Sequence, residues 1–163
     1  MRIRDMLTGA ALSFAIIAAP AALAQDQSIA TAKDVIFARK IMMDTIGRNM
    51  DEIEGMLESS KPVDMTEARE HADLISVMLM SFPHLFPPAS NQWTDGAARD
   101  PGLDTYASPD VWKNYRDFYR TAEAVGKLAF RAGRAKDEAE FRKLAAEMRP
   151  ACDGCHAAFM KHD

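Results

Sequence analysis

Ile36, Arg39, Met43, Ile46, Met50, Ile53 and Leu57 recur at alternating spacings of three and four, the stripe of one long amphipathic helix. Lys61-Pro62 ends it. A second stripe, Ala68, Ala72, Ile75, Met78, Leu79 and Phe82, follows Asp64, whose carboxylate is placed to cap free helix amides, and stops at Pro83. The pair reads as a helical hairpin with a short turn. Between residues 83 and 107 no period persists, and Pro83, Pro87, Pro88, Gly96, Pro101 and Gly102 mark a long connection. A connection of that length needs side chains of its own to pack, for which Leu85, Phe86, Trp93, Leu103 and Tyr106 are available.

Ser108-Pro109 then reads as an N-cap followed by proline at the first helical position. Val111, Tyr115, Phe118, Ala122, Val125 and Ala129 carry a third helix to a stop at Gly133. The last helix places Phe141, Ala145, Met148, Cys152, Cys155 and Phe159 on one face, and Pro150 within it predicts a kink or a lost backbone hydrogen bond. No segment carries a strand pattern. The predicted fold class is all-α, an antiparallel four-helix bundle with short links inside each hairpin and one longer crossing between them.

The ends change the picture of where the chain works. Arg2 and Arg4 precede an apolar run from Met6 to Ala19, and Ala22-Leu23-Ala24 before Gln25 is a small-x-small cleavage site. Residues 1–24 are therefore read as a cleaved signal peptide and residues 25–163 as a single domain, the alternative being an uncleaved N-terminal anchor. The apolar run is shorter than the ~20 residues of a membrane span, and no other stretch approaches that length. Removing residues 1–24 takes the formal net charge from −4 to −5. That mild acidity argues against nucleic acid or an anionic membrane surface as partner, and favours a basic redox protein at low salt.

The chemistry is concentrated in Cys152-Asp153-Gly154-Cys155-His156. C-x-x-C-H is the attachment signature of c-type haem. Two thiols one helical turn apart can each add to a porphyrin vinyl group, and the adjacent imidazole reaches the iron from the same side. Cys152 and Cys155 are the expected thioether residues and His156 the proximal ligand. A thioredoxin-like pair or half a zinc site is the competing reading, but there is no second cysteine pair and no βαβ pattern. Both cysteines of the chain are used, which leaves none for a disulfide. Covalent haem attachment outside the cytoplasmic membrane agrees with an exported chain and a periplasmic location.

What faces the other side of the iron decides between an electron carrier and an open gas-binding site. Nine methionines follow residue 24, and most are core filler, because a thioether packs well without a partner. Met43 lies in the middle of the first helix's buried stripe, whereas Met42 is rotated by about 100° toward a flank. One turn earlier stands Arg39, the only charged residue on that stripe. A buried guanidinium needs an anion, and a haem propionate is the available one; the alternative is that Arg39 snorkels to solvent along its aliphatic stem.

The C-terminal C-x-x-C-H, the Arg39-x-x-x-Met43-x-x-x-Gly47 pattern and the Leu85-Phe86-Pro87 segment together resemble the cytochrome c prime family. Within it, the stretch from Met43 to Met50 and the Ser108-Pro109-Asp110-Val111-Trp112 helix start look like the low-spin cytochrome c-556 type. The resemblance covers essentially the whole chain after residue 24. It implies the four-helix bundle, a distal role for position 43 and a propionate-side place for Arg39. It also implies a basic residue four places after the proximal histidine, where this chain has Met160 followed by Lys161.

The leading expectation is a periplasmic monohaem electron-transfer protein, not an enzyme, with His156 and Met43 as axial ligands. Its rival is a five-coordinate cytochrome c prime binding nitric oxide or carbon monoxide, with Met43 only lining the pocket. A peroxidase-like enzyme would want a distal acid/base; His71 and His84 read instead as boundary and surface residues, and His162 lies in the tail. Relatives are often homodimers through the first two helices. Met42, Phe37, Val77 and Met80 flank the core stripes there, in keeping with either a homodimer or contacts inside a wide bundle.

Overall fold

A computed structural model describes residues 31–92 and 105–161 of the chain. The expected signal peptide at residues 1–24, and Trp93, Leu103 and His162, lie outside the described residues. Among them, four long helices and one short one follow in order: α1 (Ala32–Glu58), α2 (Met65–Ser81), α3 (Asp110–Lys113), α4 (Tyr115–Ala132) and α5 (Glu138–Phe159). The expected all-α bundle is thus present.

Caps explain most boundaries. Thr31 opens α1 with a capping box: its hydroxyl accepts the Asp34 amide and the Asp34 carboxylate accepts the Thr31 amide at 2.9 Å. Asp64 caps α2 as expected, accepting the Thr66 and Glu67 amides at 2.9 and 3.2 Å. Asp137 does the same for α5 through the Glu140 amide. The α-helix of α2 ends at Ser81, and the chain tightens into a 3₁₀ turn over Phe82–Leu85. Pro83 has no amide to give the carbonyl four residues back, so the wider helix cannot continue.

The third helix departs from the expectation of one unbroken run. Asn114, at φ −118° and ψ 40°, separates α3 from α4. Asparagine is a poor interior helix residue, and here its carbonyl starts a new turn by accepting the Asp117 and Phe118 amides. Val111 and Tyr115 keep their spacing across the break, which is why the apolar pattern carried no sign of it. Pro150 does not end α5, which continues to Phe159; its cost is the one hydrogen bond that the Ala146 carbonyl cannot receive.

Three seams of the bundle are close. α1 packs on α2, α2 on α4 and α4 on α5. Ile53, Ala72, Ile75, Ala129, Phe141 and Met148 are almost fully buried between them. Gly126 lets α4 approach α2: a Cβ there would meet the Met80 side chain at 3.3 Å and Leu79 Cβ at 3.4 Å. The fourth seam, α1 against α5, is the loosest. It is tied at one end by Arg149, whose Nε and Nη2 donate to the Glu54 carboxylate at 2.7 and 2.6 Å, Nη2 also reaching Asp51 at 3.0 Å.

The hydrogen bonds from Arg149 hold the Glu54 carboxyl below its ordinary range, against a smaller opposing effect of burial. A carboxyl lowered in the folded state stabilises it at neutral pH, and that contribution is lost as pH falls through the lowered range. Both partners are about one-third exposed, so the tie is worth about 1 kcal/mol or less. Glu54→Gln is expected to lower stability at pH 7 by that amount, and the difference from wild type should shrink as pH falls through the lowered carboxyl range in urea titrations across pH.

Candidate functional site

The loose seam encloses a cavity of about 480 Å³, within the range of small-molecule and cofactor sites. All five candidate residues from the sequence, Arg39, Met43, Cys152, Cys155 and His156, line it. α1 supplies Arg39, Met43 and Gly47, and α5 supplies the two thiols and the imidazole. Phe86, Phe118 and Phe159 close one wall, with ring centroids 4.7 Å apart for Phe86 and Phe118 and 5.3 Å for Phe118 and Phe159.

Cys152 and Cys155 are free and half-buried. Burial raises both thiols, Cys155 to about 11 with a further push from neighbouring Cys152. Such thiols stay protonated near neutrality, unlike the ionised cysteines of redox pairs and zinc sites. Among the described residues, no group of three or more His, Cys, Asp and Glu side chains is arranged to hold a metal ion. The donor set therefore fits a group that binds through two carbon–sulfur bonds and one imidazole. His156 is half-buried in the last full turn of α5, where its carbonyl accepts the Met160 amide at 2.9 Å.

Three methionines line the cavity: Met43, Met50 and Met160. Met160 lies just past the end of α5 in an extended conformation, on the His156 side of the cavity, while Met50 is only 2 % exposed and embedded in the main core cluster. Met43 is half-buried one turn from Arg39, and Met42 packs on the core without lining the cavity. Gly47, one turn beyond Met43, has nothing within 4 Å of where a Cβ would stand. Glycine inside a helix costs about 1 kcal/mol relative to alanine, and on this wall it clears space for a flat group lying close to α1. The residues present fit haem.

Arg39 is 4 % exposed, which removes the snorkelling alternative. It is also not waiting for an anion. Nη1 donates to Leu85 O at 3.2 Å and Ser90 Oγ at 2.9 Å; Nη2 donates to Ser90 O and Thr105 Oγ1, both at 3.4 Å. Its guanidinium lies 4.4 Å from the Phe86 ring centroid. Desolvation lowers it to about 10, still cationic at neutral pH. These acceptors lie 46 to 66 residues away in sequence, so no local pattern announced them. The Arg149 pair with Glu54 and Asp51, which borders the same cavity, was equally invisible.

The other described histidines are elsewhere. His71 Nδ1 is 2.7 Å from Asn49 Oδ1 between α1 and α2, and His84 is exposed with its ring edge-on to Tyr119. Neither lines the cavity, and among the described residues His156 is the only histidine that does.

Known proteins resemble this arrangement. The family described as Cytochrome C' matches residues 34–160. A cytochrome c' of Pararhodospirillum photometricum is 30 % identical over 125 residues, 74 % of this chain and 91 % of that protein. A cytochrome c-556 of Agrobacterium tumefaciens is 28 % identical over 123 residues, covering 74 % and 92 %. In structure, cytochrome c' from Thermochromatium tepidum superimposes with a TM-score of 0.69 at 19 % identity, over 81 % of this chain and 98 % of that one. A further cytochrome c', one with an unusual ligand-controlled dimer dissociation, gives 0.67 at 16 % identity over 81 % and 98 %. With the match running from the first turns of α1 to the residue after α5, the chain belongs to the cytochrome c' family and its cofactor is covalently bound haem c with its iron.

Proposed function

We propose that the protein is a periplasmic monohaem electron carrier, not an enzyme, in which Cys152 and Cys155 form the thioethers and His156 and Met43 are the axial ligands. The observation that carries this reading is that Met43 and His156 line one cavity from two helices that are otherwise far from closing on each other. When bound, haem c supplies a one-electron couple, and a thioether ligand raises its potential relative to a second nitrogen. The chain's own part is to bury the site among apolar side chains and hold both ligands on helices, so that little moves between oxidation states. Arg39 belongs on the propionate side. With its terminal nitrogens committed to the connection, Nε–H is the donor left to a carboxylate. Residues 1–24 direct export, and the acidic remainder suits a basic redox protein as partner.

The match to a cytochrome c' supports a second, five-coordinate reading beside the one that the cytochrome c-556 supports. Optical spectra separate the two. Ferric wild type is expected to be low-spin and Met43→Ala high-spin, while Met50→Ala stays low-spin; a high-spin wild type overturns the proposed ligation. A thioether has no proton to exchange near neutrality, so the low-spin spectrum should persist from pH 7 to 5. Loss over that interval would mean a histidine in place of the sulfur.

We also propose a homodimer through α1 and α2. Phe37, Val77 and Met80 are 65, 60 and 38 % exposed, joined by Ile41 and Leu74 at 48 % each, whereas Met42 turns inward. Five large apolar side chains on one helical hairpin form a patch that a second copy would cover. Phe37→Glu with Val77→Glu should convert the protein to monomer in sedimentation velocity; a wild type that is already monomeric at high micromolar concentration contradicts it.

A further inference from the structure

The partners of Arg39 come from both ends of the connection between α2 and α3. Leu85 and Ser90 belong to the outgoing end, and Thr105 to the returning one. The two terminal nitrogens carry four N–H groups between them, and four hydrogen bonds account for them. The acceptors are themselves oriented. Ser90 Oγ donates to Pro87 O at 2.8 Å, which turns a lone pair to Arg39, and Thr105 Oγ1 accepts the Ala107 amide at 3.1 Å as well. Phe86 and Trp112 flank the guanidinium, and Trp112 Nε1 donates to Phe86 O at 3.2 Å.

The returning end continues to the haem helix. Ala107 and Met160 form an antiparallel bridge, with the Ser108 amide donating to Phe159 O at 2.9 Å and the Lys161 amide to Tyr106 O at 2.8 Å. Met160 in turn donates its amide to His156 O. A continuous path of hydrogen bonds and short backbone steps therefore runs from α1, one turn before Met43, to the last turn of α5.

We propose that Arg39 is a positioning residue: its planar fork gathers both ends of the connection onto α1 and, through residues 105–108, holds the end of α5 that carries His156. It forms the second tie of the loose seam, at the end away from Arg149. A charge-only role would be filled by lysine. The fork role would not, because an ammonium has three N–H groups, no plane to stack and no reach to three separated acceptors.

Amide hydrogen exchange of the ferric holoprotein tests this without reference to the iron's spin state. In Arg39→Lys, the Ser90, Ser108 and Lys161 amides are expected to exchange at least tenfold faster, with Ile75 and Val125 in the core unchanged. Wild-type rates at those three amides overturn the proposal. If Arg39→Lys loosens the whole bundle, Thr105→Val decides: faster exchange confined to Ser108 and Lys161 supports the path, and unchanged rates refute it. Haem methyl proton shifts, which follow the orientation of the proximal imidazole, should move in both variants. Accelerated exchange with unmoved methyl resonances would overturn the reach to His156.

Discussion

A four-helix bundle normally closes all four of its seams by apolar burial, and this one closes three. The open seam between α1 and α5 is what everything else accommodates. Its two walls cannot hold each other by side-chain packing across a cavity of about 480 Å³, so they are held at the ends by directional polar contacts. Arg149 with Glu54 and Asp51 spans one end. Arg39, the connection and the Ala107–Met160 bridge span the other. Arginine suits both positions for the same reason: a planar fork fixes direction as well as distance.

The two ties differ in what they cost. Arg149 lies near the surface with two carboxylates, and its charge is compensated where it stands. Arg39 is nearly fully buried against neutral oxygens and two aromatic rings, an arrangement that keeps a positive charge inside the cavity wall. Cation–π contact and four hydrogen bonds offset its desolvation only in part. A cofactor bearing carboxylates is the group that such a wall would favour, and haem c carries two.

Periodicity made the four long helices legible because each buries a single face, and Asp64 and Gly133 were readable as ends because capping chemistry is local. The break at Asn114 was not, since the apolar spacing crosses it unchanged. The thiol pair, His156 and Met43 share one cavity lining, as C-x-x-C-H and the α1 stripe led one to expect, but Met42, expected on a flank, also packs on the core, since both lie at the edge of the buried face. The burial of Arg39 was legible from its place on the stripe, but its partners were not, because Leu85, Ser90 and Thr105 come from a segment with no period. Gly47 stands in the Arg39-x-x-x-Met43-x-x-x-Gly47 pattern, and its physical reason is an open space beside the helix, which only the fold reveals. Glu54 and Asp51 carry no local signal of a partner, because it is the antiparallel placement of α5 that brings Arg149 to them.

The central claim is that a sulfur from α1 and an imidazole from α5 meet at one iron across the open seam. Iron K-edge X-ray absorption of the ferric holoprotein addresses it without mutation. One sulfur scatterer in the first shell alongside five nitrogens is the expected result. A first shell of nitrogen alone, or of nitrogen with an oxygen from water, contradicts it.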